Sequence, residues 1–562
     1  MRKALIFIFI FSLSTYVFSQ KKIEFDSKYL FTTEELGVDI KVLTDSVVFK
    51  HENSTMYCDS ALLDYANSFF DAFGNVKIVK LTESKDTVFL FGDTLHYSGK
   101  NKLAMVRNNV ILIKDSLTLN TDSLDFDLGT NIGHYFNNGT TINGEDTLKS
   151  VYGYYYADED KLYFKENVEV TNPQFKVISD TLEHNTKTKI SYFIGPTEII
   201  GDSNYIYCEN GWYDHKNDIS QFNKNAYLKN NDQILKGDSL YYDRNIGLGK
   251  AYKNVTFWDS VQNVLLQGNH GYYNEKTGYS MMTDSALFTM VGSNQDSLFL
   301  HADTLQSYKD TVIENDETKT YRMIQAFHHV KTYKDDFQSM CDSLIYDLKD
   351  SIIEMYINPV LWSDSNQLFA NKIIVQTYHN EVDRIDMNNN AFIISQSDSI
   401  RFNQVYGENM VAYIDDKILS QIDVLNKGKS VYFLKDEEGK LIGVNFIECK
   451  DMEIYMKDSK INKIWFFEKP VGKIHPPLTL SKDELLLPSF KWNVDYRPLN
   501  KSEIFIWDKD LGQNIVAKAS AEEGKSKTKN DDSKEDKDTK KDNKETKTKP
   551  RDSHMSNRME TK

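Results

Sequence analysis

A short phrase of six residues recurs along most of this chain at a nearly fixed interval. It is clearest in Gly237-Asp238-Ser239-Leu240-Tyr241-Tyr242 and is echoed by Gly92-Asp93-Thr94-Leu95-His96-Tyr97. Further copies are Cys58-Asp59-Ser60, Thr121-Asp122-Ser123-Leu124-Asp125-Phe126, Ser179-Asp180-Thr181-Leu182 and Cys341-Asp342-Ser343-Leu344-Ile345-Tyr346. Degenerate copies lose the aspartate and keep the frame: Val151 before Gly153-Tyr154-Tyr155, Glu209 before Gly211-Trp212-Tyr213, and Asn269 before Gly271-Tyr272-Tyr273. From Asp93 through Val151 to Asp238 the steps are each about 29 residues by subtraction of the numbers, within the range of stacked repeats. A length of 562 residues would by itself suggest several globular domains, but a repeat array escapes the size limit on a single core.

The second half of each unit is an Asn followed by alternating apolar residues: Asn75-Val76-Lys77-Ile78, Asn109-Val110-Ile111-Leu112, Asn167-Val168-Glu169-Val170 and Asn254-Val255-Thr256-Phe257, with weaker versions at Asn225, His329 and Asn358. Each unit therefore encodes two short strands separated by turns such as Asp243-Arg244-Asn245-Ile246-Gly247, where Asn, Asp and Gly tolerate left-handed backbone. Successive side chains of a strand point to opposite faces. The alternation thus gathers Leu95, Tyr97, Val110, Leu112, Leu124, Phe126, Val168, Val170, Leu182, Leu240, Tyr242, Val255, Phe257, Val330, Leu344 and Tyr346 on one inner face. Lys77, Glu169, Thr256 and Ser239 fall on the other, which is expected to meet water. The fold class is all-β, an antiparallel repeat array, and a long sheet with one apolar face must fold over itself or coil to cover it. A dry core explains the apolar rows at roughly 25 cal/mol per Å2 buried, without any ligand. A groove for an apolar ligand explains them too.

Composition agrees with pleated, half-buried strands: 33 Tyr, 32 Phe and only 9 Pro. The formal charge of −16 argues against nucleic acid, whose phosphates need a concentrated basic surface. Arg2 and Lys3, the apolar residues 4–11, and Val17 and Ser19 read as a secretory signal cleaved after residue 19. Cys58, Cys208, Cys341 and Cys449 are too dispersed for a disulfide framework, and the first three share one phase of the repeat, several rungs apart. They are read as small buried fillers. The repeated aspartates at 59, 93, 122, 180, 238, 303 and 342 lack the glycine-rich nonapeptide frame of calcium-binding repeats and are expected to cap turns through backbone N–H groups. No CxxC or HxxxH spacing suggests a metal, and no cofactor is expected. Every carboxylate recurs by period, and neither Gly-x-Ser-x-Gly nor His-Glu-x-x-His accompanies the scattered histidines, so the chain is not expected to be an enzyme.

The expected organisation is a signal peptide at 1–19, an N-terminal cap at 20–46, β repeats at 47–432, and a blurred repeat with a Pro-rich cap at 433–516. A disordered charged tail follows at 517–562. Residues 310–320, rich in Asp, Glu and Thr, are expected to form an exposed loop. The cap, with Pro470, Pro476, Pro477, Pro488 and Pro498, is expected to shield the final strand.

The Gly-Asp-x-Leu-x-Tyr strand followed by a Gly/Asn-Asn-Val-x-Ile strand resembles the OstA-like family, which comprises the lipopolysaccharide-transport protein LptA and the periplasmic part of LptD. The resemblance spans approximately residues 47–432. It implies a β-jelly-roll folded into a V-shaped trough, with the inner-face residues named above holding lipopolysaccharide acyl chains on their way to the outer membrane. It also implies a location in the periplasm, associated with the outer membrane, and partnership with inner-membrane transport components and a separate outer-membrane barrel. The oligomeric state stays open. A structural or adhesive β-solenoid displayed at the cell surface is the alternative that length and the charged tail suggest.

Overall fold

The computed structural model describes residues 24–32, 40–51, 53–64, 66–81, 87–292, 297–314, 317–378, 381–415, 418–457, 460–476 and 479–507. The expected signal peptide and charged tail lie outside them. The chain divides into Met1–Phe505 and Ile506–Lys562, and the first unit holds all of the strands. Among the described residues, 36 strands join one hydrogen-bonded sheet, and the pairings between them are antiparallel.

The strands are about twice as long as the sequence pattern suggests. Thr87–Ser98 and Leu103–Lys114, for example, each span 12 residues and pair along most of their length. The Asn-Val phrase does not open a new strand after a turn. It marks the middle of a long one, where two residues with positive φ interrupt the ladder: Gly74 and Asn75 (φ 74° and 45°), Asn108 and Asn109 (60° and 50°), Lys253 and Asn254 (58° and 50°), and equivalent pairs elsewhere. Register shows what they do. Phe73 pairs with Thr94 and Val76 with Gly92, so Gly74 and Asn75 stand opposite the single residue Asp93. Two residues against one make a β-bulge, which bends the strand.

Because the bulges align from strand to strand, the sheet folds along one line into two limbs. Residues 40–44 of Ile40–His51 belong to the first limb and 47–51 to the second, with Asp45 and Ser46 between. The repeating geometry therefore starts at Ile40, inside the segment expected to be a cap. The two short strands Glu24–Asp26 and Tyr29–Phe31 pair with that same strand. At the other end bent strands continue through Lys460–Phe467 and Val471–His475, joined at Glu468 and Lys469 with positive φ. Residues 310–320 correct another expectation: Leu298–Glu314 and Glu317–Lys334 form an extended hairpin there in place of a loop.

Inside the bend the side chains alternate in size. The residue just before each acid is small (Cys58, Gly92, Thr121, Ser179, Cys208, Gly237, Ala302, Cys341), because it faces the inside of the fold. A Cβ at Gly92 would come within 2.5 Å of Val106 Cγ1. The three cysteines are buried and unbridged for this reason, and burial pushes the Cys58 thiol up to about 11. The degenerate copies follow the same rule. Gly153 stands where other copies carry Leu, and a Cβ there or at Gly139 would collide with the ring of the buried Tyr135, at 2.1 and 2.4 Å from its nearest carbon. Tyr135 Oη lies 2.5 Å from Ser150 Oγ, which satisfies the hydroxyl that a buried tyrosine needs to place.

The Pro-rich segment does not shield the final strand. Residues 485–505 run back over the outer face of the second limb, from Leu441–Glu448 to Leu298–Glu314. Trp465, Phe467, Val471 and Ile474, in the last two strands, remain exposed.

Candidate functional site

The inner face of the folded sheet is the surface on which the sequence-derived residues converge. Ten of the sixteen are buried: Leu95, Val110, Leu124, Val168, Leu182, Leu240, Val255, Val330, Leu344 and Tyr346. All but Tyr346 sit beside the bend. Tyr97, Leu112, Phe126, Val170, Tyr242 and Phe257 are half-buried, each two residues further from it. The contrast within a single phrase is informative: Val110 is 0% exposed and Val168 0%, whereas Leu112 and Val170 are half-buried and pack against the same continuous core. Two steps along a strand are about 6.6 Å. On these strands the trough is thus sealed at its base and opens outward within one pair of side chains, whereas Phe49, Met56, Leu119, Val177, Phe288, Leu300 and Tyr346 stay buried at the same distance from the bend.

Further inner-face residues escaped the sequence reading. Leu90, Ile206, Leu235 and Leu266 are half-buried against the core on the strands that carry the acid phrase. Their signal was present, since each stands two positions before the small residue of that phrase (Gly92, Cys208, Gly237, Gly268) and so shares its face. Ile78, Ile199 and Leu228 supply the matching lip positions on the neighbouring strands.

The outside of the bend carries the repeated acids, and it is structural. Asn75 Nδ2 donates to Asp59 Oδ2 at 2.8 Å, Asn109 Nδ2 to Asp93 Oδ2 at 2.8 Å, and Asn225 Nδ2 to Glu209 Oε1 at 2.7 Å. Asn254 Nδ2 donates to both oxygens of Asp238, at 3.1 and 3.2 Å. Each pair is 16 residues apart in sequence. The acids therefore tie neighbouring strands through side chains, where backbone N–H partners were expected. Left-handed backbone costs a non-glycine residue roughly 1–2 kcal/mol. Asn tolerates it best, and its hydrogen bond contributes about 0.5–1.5 kcal/mol in return. Among the described residues no three His, Cys, Asp or Glu side chains are grouped to hold a metal ion.

One stretch of the inner face is polar. His184 Nδ1 lies 3.0 Å from Ser191 Oγ, which lies 2.8 Å from His215 Nε2, and Tyr213 packs edge-on against His215 while donating its hydroxyl to Asp218. His184 shares the parity of Leu182, and Ser191 that of Phe193, so both face inward. Burial pushes His184 down to about 4, helped by the proximity of His215, and lowers His215 as well. Both rings are neutral near pH 7.

Comparison with known families matches residues 21–180 to the OstA-like protein family. Comparison with curated proteins finds no match. Among solved structures the chain is similar to LptH, the LptA homologous periplasmic component of the conserved lipopolysaccharide transport device from Pseudomonas aeruginosa. Identity is 13%, over 19% of this chain and 76% of that one, with a TM-score of 0.18.

Proposed function

We propose that this protein holds the acyl chains of lipopolysaccharide between its two limbs and passes them along the array toward the outer membrane, without catalysing a reaction. The observation that carries the reading is the burial gradient: residues beside the bend are dry, while Leu90, Leu112, Val170, Leu228 and Leu235 remain partly open on the same face. Half-open aliphatic rows on a continuous sheet suit an acyl chain, whose CH2 groups each gain about 0.8 kcal/mol on burial. With a chain charge of −16, contact through acyl chains rather than through phosphates is also electrostatically favourable. The match of residues 21–180 to the OstA-like protein family supports the lipid class and a periplasmic location. Partners are then an inner-membrane source of lipopolysaccharide and an outer-membrane barrel that receives it.

Depletion tests this reading. Newly made lipopolysaccharide, pulse-labelled and separated by membrane fractionation, should accumulate at the inner membrane when the protein is withdrawn. Unchanged arrival at the outer membrane would reject the role. Protease added to intact cells should leave the chain uncut, and digestion would point instead to a surface-displayed solenoid.

A further inference from the structure

The outer face of the second limb offers a second kind of site. Cross-strand pairing sets Gln338 beside Trp362, Trp362 beside Gln367, Gln367 beside Ile394, Ile394 beside Gln404, and Gln404 beside Val431. Directly paired residues point to the same side, and this row has the opposite parity to the inward Leu361, Leu368 and Ile393. All three glutamines are nevertheless buried, at 3%, 0% and 1% exposure. What covers them is the chain's own segment 485–505.

The amides read that segment's backbone. Gln404 Nε2 donates to Leu485 O at 2.8 Å and Gln404 Oε1 accepts from Leu487 N at 2.8 Å. Gln367 Nε2 donates to Lys491 O at 2.6 Å and its Oε1 accepts from Asn493 N at 2.7 Å. Each glutamine thus engages residues i and i+2, as the peptide group of a neighbouring strand would. Gln338 Oε1 accepts from Arg497 Nε at 2.8 Å, and Arg497 also donates to Asp364 O at 2.7 Å. Between these clamps lie apolar seats. Leu485 and Leu487 join Val431, Phe433 and Val444 in a cluster separate from the trough core, and Phe490 packs on Phe392 and Phe402. Trp492 lies 4.9 Å from Phe402, and Phe505 lies 4.4 Å from His301, between ring centroids. No described residue of the segment is in a β-strand, so side chains rather than a strand ladder hold it.

We propose that this face is a recognition site for an extended peptide, that residues 485–505 are its resident ligand bound in cis, and that the site accepts the same segment in trans. A hydrocarbon acyl chain has no donor or acceptor to satisfy the glutamines, and a buried amide left without partners costs about 1–3 kcal/mol. The ligand class is therefore a polypeptide with apolar residues at two-residue spacing followed by an arginine. Exchange of the segment between two copies is the interaction that such a site permits.

The full chain with a protease site inserted between Pro476 and Thr479 tests this. After cutting, the C-terminal fragment should co-elute with the array at micromolar concentration. It should then be replaced by a labelled synthetic peptide of residues 479–507, followed by fluorescence anisotropy. Gln367→Leu with Gln404→Leu should speed that exchange about ten-fold or more, a change of 1.4 kcal/mol or above. Should that variant fail to fold, Arg497→Met, which alters only the ligand segment, gives the same reading. Immediate loss of the fragment from a folded array, exchange unaffected by these substitutions, or unfolding of the array on loss of the fragment would each overturn the proposal.

Discussion

Phe49 and Phe70 stack with ring centroids 5.0 Å apart and planes inclined by 16°, although they lie on opposite limbs. Pairing aligns Phe49 with Met56 and Met56 with Ile78, eight positions along the strand from Phe70. In a flat sheet eight residues span about 26 Å. The contact exists only because the bulge at Gly74 and Asn75 turns one limb over the other. Phe70→Ala is expected to cost about 3–5 kcal/mol locally. Phe49→Ala should cost much less once Phe70 is gone. Denaturant unfolding of the two single variants and the double reads the coupling, and strict additivity would mean that the rings do not support each other.

At the bend, backbone conformation and side-chain bonding are separable. Asn109→Gly keeps positive φ accessible and loses only the bond to Asp93, so a loss of about 1 kcal/mol is expected. Asn109→Val loses the bond and also forces a β-branched residue into left-handed backbone, for about 2–3 kcal/mol in all. Equal denaturation midpoints for the two variants would show that the bend does not depend on the left-handed pair.

Gly153→Leu restores the repeat phrase by sequence, yet is expected to destabilise, because the Tyr135 ring already fills that space. Overpacking of this kind costs about 1–3 kcal/mol. Adding Tyr135→Val should recover most of the loss. A Gly153→Leu protein as stable as the parent would contradict the packing described at this rung.

The polar stretch predicts a pH dependence. His184 is held down to about 4 and His215 below its ordinary 6.5 by burial, so the unfolded chain binds their protons more readily. The stability these two rings contribute is fully present above about pH 6.5 and is lost as pH drops toward 4, where His184 of the folded chain also becomes charged. Denaturant midpoints between pH 7.5 and 4 should show this decline, and His184→Gln with His215→Gln should reduce its slope. An unchanged slope would place the responsible groups elsewhere.

Much of the trough was legible in sequence because strand alternation is strict. Leu240 and Val255, chosen by parity alone, lie beside the bend at 6% and 1% exposure. The bend itself was not legible, because a pair such as Asn108-Asn109 carries the same conformational signal in a hairpin turn as in a mid-strand bulge. Gly153 looked like decay of the repeat, since its meaning lies in Tyr135, a residue outside the phrase. The prolines at 476, 488 and 498 correctly excluded a central strand, but no local feature told that Gln367 and Gln404 await that segment more than 80 residues earlier.

Photocrosslinking in living cells tests the proposed lipid path most directly. A benzoylphenylalanine placed at the half-buried inner positions Leu112, Val170 or Leu235 should capture lipopolysaccharide, whereas the adjacent outward positions Ile111, Glu169 or Lys236 should not. Capture from the outward set alone, or equal capture from both, would contradict a lipid path between the limbs.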